Sequence, residues 1–286
     1  MGRFRRRKRL KRLAFILVAL LIGFAVAAES RFALSRVADI VQEPAGILPH
    51  RAVWGTITPE QERFWPAFWL ARAEYISRIE DYYPVTARLS VRGWGKFHLA
   101  VRPLAPLYKV HWGGKFWYLS EEGRLWSSTL PENSLLREHA AEKKPVLSWS
   151  ADRTTPINLA GAEGNVFESS LPLPLIKKWY TRVETYGWSA NAKFIQAGVR
   201  EGTPIIRLIL RSADGGNGGE VLLPDDPEQW TEALLAVKKL YGEIANIPPD
   251  IFIDCTYKGK ILIRNLSDNK KEEAAKREAV KKKSGR

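Results

Sequence analysis

Sixteen consecutive residues without a charge, Leu13 to Ala28 (LAFILVALLIGFAVAA), constrain this chain more than any other stretch. The twelve residues before them carry eight cations, Arg3, Arg5, Arg6, Arg7, Lys8, Arg9, Lys11 and Arg12, whereas Glu29 opens the other flank. As a helix the stretch spans roughly 24 Å, slightly less than the ~30 Å hydrocarbon layer, and snorkelling arginines make up the deficit. The basic flank places the N-terminus in the cytoplasm, so that residues 29–286 lie beyond the inner (plasma) membrane. The same pattern also reads as a cleavable signal peptide with Ala25-Val26-Ala27 as its small-residue cleavage site. Either reading exports the bulk of the chain.

The net charge of +14 suggests a nucleic-acid binder until it is located along the chain. The first twelve residues supply +8, and Lys270 to Arg286 supply eight cations against Glu272, Glu273 and Glu278, leaving only +1 between. The head is a topology signal, and the tail NKKEEAAKREAVKKKSGR reads as solvated or marginally helical. No nucleic-acid partner is expected. Cys255 is the only cysteine, so the exported part must be stable without an intrachain disulfide, and a multi-cysteine zinc site is excluded. The roughly 230 residues between span and tail suffice for two small domains.

Taken in order, Arg31 to Val41 is a candidate first strand, broken up by Pro44, Gly46 and Pro49. Thr58-Pro59-Glu60-Gln61 forms a capping box, and Pro66 ends or kinks the helix it opens. A second helix places Leu70, Ala73, Ile76, Ile79 and Tyr83 on one stripe, and Pro84 stops it. The period then changes to two: Val85, Ala87, Leu89 and Val91, then a turn at Gly93-Trp94-Gly95, then Phe97, Leu99 and Val101. Strands follow at Leu107 to Trp112, Lys115 to Leu119 and Arg124 to Trp126, and the region up to Gly164 gives no assignment. Leu175, Ile176, Trp179 and Val183 make a helical stripe ending at Gly187. Lys193 to Val199, Ile205 to Arg211 and Gly219 to Leu223 alternate as strands. A helix capped by Asp226 buries Trp230, Leu234, Val237, Tyr241 and Ile244, and Ile251 to Tyr257 pairs with Lys260 to Asn265.

Four stretches in this order carry a family resemblance. Tyr83-Pro84-Val85 with RLSVRGWGKFHLAV matches a helix-to-hairpin passage "P-x-V-x-x-A-x-V-R-R…L-x-I-x-V"; GKFWYLSEEGRLW (114–126) matches "g-x-x-y-x-L-x-D-x-x-G-x-v-f"; Lys144-Pro145-Val146-Leu147 matches "L-P-V-L"; and IDCTYKGKILIR (253–264) matches "I-D-L-R-Y-x-G-x-v-x-V-R". Over residues 31–266 the chain resembles the bacterial cell-division family called FtsQ in some lineages and DivIB in others. Pro103-Leu104-Ala105-Pro106 stands where that family often has Glu-Arg-x-Pro, Ser120-Glu121 replaces the usual Asp, and Cys255-Thr256 replaces Leu-Arg.

The resemblance implies an α+β protein: a cytoplasmic basic head (1–12), a single transmembrane helix (13–28), a POTRA-like β-α-α-β-β module (29–103), a larger and mostly antiparallel β domain with two helices (104–266), and a charged tail (267–286). It implies a non-enzymatic division scaffold at the septum, linking divisome membrane proteins to septal peptidoglycan synthesis. FtsB/FtsL-like partners would add to the terminal strand edge, and other divisome membrane proteins would meet the POTRA-like module. Tyr257 is the foremost expected contact, followed by Arg264, Lys258 and Lys260. A strand tyrosine is equally at home as a half-buried packing residue.

No pattern argues for catalysis, a metal or a cofactor. His50, His98, His111 and His139 lack metal spacing, no Gly-x-Ser-x-Gly occurs, and Cys255 in an apolar strand reads as an inert thiol. Asp225 and Asp226 before Pro227 read as a helix cap, and the glycines at 215–219 as a loose turn. The rival readings are a signal-cleaved envelope glycan-binding protein or enzyme, motivated by the many aromatics, and a secretion component bearing POTRA modules.

Overall fold

The structure, a computed structural model, describes residues 16–21, 23, 35–131, 140–157, 164–211, 217–242 and 244–265. It is mixed α+β, and the chain divides into two compact units, Met1–Pro103 and Leu104–Arg286. Within the apolar N-terminal stretch residues 16–21 are helical, with Ile16, Leu17, Val18, Leu20 and Leu21 exposed. Apart from Gly23, the rest of the expected span, the basic head, the glycine turn at 212–216 and the tail lie outside the described residues. No helix among the described residues is long and apolar enough to cross a membrane.

The first unit runs β1 (Asp39–Glu43), α1 (His50–Trp54), α2 (Pro59–Arg63), α3 (Trp65–Leu70), α4 (Arg72–Tyr82), β2 (Val85–Gly93) and β3 (Lys96–Pro103). Strand β3 is central, antiparallel to β2 and parallel to β1. The expected first strand therefore exists but begins at Asp39. Four short helices replace the expected two. Pro49 is the N-cap of α1 and not merely a breaker. The Thr58 capping box is present: Thr58 Oγ1 accepts from the Gln61 N–H at 3.3 Å, and Gln61 Oε1 accepts from the Thr58 N–H at 3.0 Å.

Pro66 starts a helix instead of ending one. The break falls at Phe64 (φ −134°), which puts Pro66 in the first turn of α3, where a missing N–H costs nothing. A second break at Ala71 resets the helical phase. Leu70, expected on the buried stripe, is consequently 79% exposed, while Phe68 and Ile79 are fully buried and Tyr75 nearly so. The Phe68 ring meets the edges or faces of Tyr75 and Phe97 at 4.9 and 4.8 Å, and Tyr75 donates to the Val53 carbonyl at 3.0 Å, tying α1 to α4.

The second unit contains β4 (Pro106–Trp112), β5 (Lys115–Ser120), β6 (Arg124–Ser127), β7 (Val146–Trp149), β8 (Val166–Glu168), α5 (Leu173–Thr185), β9 (Ala192–Arg200), β10 (Thr203–Arg211), β11 (Asn217–Pro224), α6 (Trp230–Tyr241), β12 (Ile251–Asp254) and β13 (Leu262–Asn265). Its ten strands form one sheet in the order β13-β12-β11-β10-β9-β7-β4-β5-β6-β8. Most ladders are antiparallel, as expected, but β7 is parallel to both β4 and β9, and β12 is parallel to β11. Strand β7, in the stretch without an assignment, thus sits at the centre.

Helices α5 and α6 cover one face, where Ile176, Trp179, Val183, Trp230, Leu234 and Val237 are buried against Val110, Leu147, Ile195, Leu208 and Val221. Helix α5 ends in a Schellman motif: the Gly187 N–H donates to the Glu184 carbonyl, and the Trp188 N–H to that of Val183. Asp226 caps the following turn through the Glu228 N–H at 3.0 Å, whereas Asp225 takes no part in the cap and pairs with Arg153 at 2.5 Å.

The tight approach of Gly95 to the start of β1 yields the first prediction. At φ +64°, a Cβ there would strike the Arg36 carbonyl oxygen far inside van der Waals contact, whereas at Gly114 (φ +74°) it would meet nothing. Gly95→Ala should cost at least about 3 kcal/mol and Gly114→Ala only about 1 kcal/mol. Urea unfolding of the two variants checks this, and equal costs would show that backbone conformation alone, without the clash, sets the penalty.

Candidate partner interface at the terminal hairpin

Chain order and apolar alternation bring the last two strands to the sheet margin. Strand β12 pairs with β11 through Glu220↔Phe252, Val221↔Ile253 and Leu222↔Asp254, and β13 pairs back through Phe252↔Arg264, Ile253↔Ile263 and Asp254↔Leu262. Among the described residues strand β13 has no neighbour on its other side. Among these residues it forms the margin of the sheet.

Asp254 fixes the base of this hairpin. Its side chain is buried; Oδ2 accepts from Arg200 Nη1 at 2.6 Å, while Oδ1 accepts from the Thr256 N–H at 3.0 Å and the Thr256 hydroxyl at 2.6 Å. Burial by itself would lower the Arg200 pKa, but the Asp254 hydrogen bond and charge outweigh it and raise the value overall, with a smaller contribution from Tyr257. The carboxylate therefore ties the β12–β13 connection to the end of β9.

Tyr257 lies outside a strand, which corrects the expected Ile251 to Tyr257 run: β12 ends at Asp254, and Tyr257 sits in the connecting bend at 48% exposure, its carbonyl accepting from the Lys260 N–H at 3.1 Å. Lys258 and Lys260 are exposed on either side of Gly259 (φ +68°). Arg264 is exposed on β13. All four expected contact residues thus gather on one hairpin. Sequence reasoning did not single out Ile263, which alternates with Arg264 and is 45% exposed although it lies opposite the fully buried Ile253. Its period-two position was legible, but its lack of cover was not. The Arg200–Asp254 pair was likewise passed over, although a lone carboxylate in the apolar run Ile251 to Cys255 signals a buried partner.

Elsewhere in this unit the helix-free face carries a shallow groove lined by His111, Phe116, Ser148, Phe194, Gln196 and Ile209, with the His111 and Phe116 rings 5.0 Å apart. In the first unit, His98 Nε2 lies 2.6 Å from Glu43 across β1 and β3. Among the described residues no group of three or more His, Cys, Asp or Glu could hold a metal ion. Burial first, and then the neighbouring Asp254 charge, push the Cys255 thiol up to about 12. No family model matches the chain, and no curated protein is significantly similar to it.

Two outcomes follow. Asp254→Ala strands Arg200 and the Thr256 donors and should destabilise the second unit by about 2–3 kcal/mol in denaturant unfolding. With its pKa raised, the Cys255 thiol stays protonated at pH 8 in the folded chain, so maleimide should label it only after denaturation, and rapid native labelling counts against the buried placement.

Proposed function

We propose that this chain is a single-pass, non-enzymatic scaffold of the bacterial cell-division machinery, held in the membrane by residues 13–28 and binding partner proteins beyond it. The place of β13 at the margin of the sheet among the described residues, with Tyr257 and Ile263 each nearly half exposed beside it, is the observation that carries the reading. An edge strand offers main-chain hydrogen bonds to an added strand, and the adjoining side chains select which strand is accepted. Lys258, Lys260 and Arg264 give this edge a cationic rim, which suits a partner segment combining extended apolar residues with acidic ones. FtsB/FtsL-like division proteins are the proposed occupants, and the three-stranded first unit, read as POTRA-like, is the proposed contact for other divisome membrane proteins.

The distribution of aromatics weighs against the glycan-binding alternative. Trp117, Trp126, Trp149, Trp179, Trp188 and Trp230 are buried in the second unit, where they build core and not a stacking platform. Their ring N–H groups are used internally as well: Trp149, Trp179 and Trp230 donate to the carbonyls of Thr154, Asp225 and Pro224.

Localisation tests the proposal. An N-terminal fluorescent fusion, with the native copy depleted, should form a midcell band, and depletion alone should give filamentous cells. A photo-crosslinker at position 257 or 263 should then capture a division membrane protein, while one at Glu168, on the opposite sheet edge, should not. Uniform envelope fluorescence with normal division would sink the reading, and a tag cut free from the rest would favour the cleaved signal peptide.

A further inference from the structure

The most exposed tryptophan among the described residues stands at the place where the chain enters the first unit. Trp94, at the tip of the β2–β3 hairpin, is 69% exposed. The Ala38 N–H donates to the adjacent Gly95 carbonyl at 2.7 Å, the Trp65 N–H donates to the Ser35 carbonyl at 2.8 Å, and the Val37 N–H donates to the Glu62 carbonyl at 2.8 Å. Residues 35–38 are thereby pinned between the hairpin tip and the α2–α3 junction. Apolar surface collects there: Trp94 packs edge-on against Trp65 with ring centroids 6.1 Å apart, Phe64 is 40% exposed, and Val91 is 45% exposed although it lies on the core side of β2.

Only residues 29–34 separate Ser35 from the apolar stretch ending at Ala28, a reach of at most about 25 Å even when fully extended. Exposed Arg36, Arg63, Arg92 and Lys96 lie around these positions, together with the carboxylates of Asp39, opposite Lys96 in the β1–β3 ladder, and of Glu60 and Glu62. Exposed tryptophan with arginine and lysine close by is a composition that settles at a membrane–water interface, where the ring sits among headgroups and the cations reach phosphates. A short tether and exposed aromatics at the tethered end favour one occupant, the surface of the bilayer itself.

We infer that this end of the first unit, centred on Trp94 with Phe64 and Val91, rests in the headgroup layer of the membrane that carries the N-terminal span. The inference builds on the proposed anchor, adding a second, peripheral membrane contact to it. Such a contact holds the three-stranded sheet at a set height and tilt, so its remaining surfaces face lateral partners.

An environment-sensitive dye tests it in the full-length chain reconstituted in phosphatidylglycerol–phosphatidylcholine vesicles. Trp94→Cys introduces the reactive thiol, because Cys255 is buried, and Thr86→Cys is the control at the far end of the same strand, about 26 Å away by strand rise. The dye at 94 should shift to the blue, brighten at least about two-fold relative to position 86, and be quenched by bilayer-embedded quenchers. Vesicles that float with the protein while the dye at 94 stays aqueous overturn this contact and leave the anchor standing, favouring a protein partner at the tip. Failure of the chain to float at all overturns the anchor and this contact together.

Discussion

The second unit depends on one short strand. Strand β7 is the sole link, among the described residues, between the β4-β5-β6-β8 half of the sheet and the β9–β13 half, and it meets β4 through only two register pairs, Val110↔Leu147 and His111↔Ser148. Two pairs are a weak join for a ten-stranded sheet, so side chains splice it. The Tyr180 ring from α5 stacks on Tyr108 of β4 at 4.1 Å, and its hydroxyl donates to the Pro145 carbonyl, just before β7, at 2.6 Å. Burial raises the Tyr180 pKa well above its ordinary value, so the phenol stays a hydrogen-bond donor throughout the physiological range. Leu147 and Trp149, beneath α5, supply the apolar side of the same join. The terminal hairpin, at the far margin of the β9–β13 half, inherits its position from this splice.

Legibility from sequence followed the length and period of each element. The β2–β3 hairpin, the β9–β10 pair and the helix around Trp179 have long, regular apolar patterns, and each was found at nearly its observed bounds, whereas the helix expected from the Asp226 cap to Ile244 is shorter: it begins at Trp230, after a separate turn at Pro227–Gln229, and ends at Tyr241. Strand β7 was missed because four residues, Val-Leu-Ser-Trp, are too few to show a period, and its parallel partners lie far away in the chain. Leu70 was misplaced for a different reason. The stripe from Leu70 to Tyr83 presumes one continuous helix, but the chain departs from helical backbone at Ala71, and every position before that point rotates away from the projected face. Periodicity reads phase only within an unbroken element.

At the candidate interface the composition was legible and the exposure was not. Tyr257, Lys258, Lys260 and Arg264 were singled out by resemblance, and they gather on one hairpin because a β-turn must bring its flanks together. Whether Tyr257 packs or projects depends on where β12 ends. Asp254 ends it: by bonding the Thr256 N–H and hydroxyl through one oxygen and Arg200 through the other, its carboxylate diverts the backbone out of the ladder three residues before the tyrosine. The exposure of Tyr257 thus derives from a buried charge pair, a feature the local apolar pattern does not encode.

Edge strands invite aggregation, and cations on or beside such a strand discourage it, so Arg264 on β13 and the lysines in the connection before it admit a protective reading as well as a docking one. The two edges of the sheet argue the point. The opposite margin, β8, is blunted by brevity, with three residues ending in Glu168. Strand β13 is also short, but it keeps Ile263 outward at 45% exposure, on a residue that a purely protective edge would have made polar. Leu262, Ile263 and Arg264 in sequence place an exposed apolar side chain beside an exposed cation, the combination that the proposed docking of a partner strand would use. Cations that only guarded the edge would be expected at the apolar position itself. Set around it, they suit the proposed docking reading, in which they would filter what pairs there and favour a partner carrying the complementary charge.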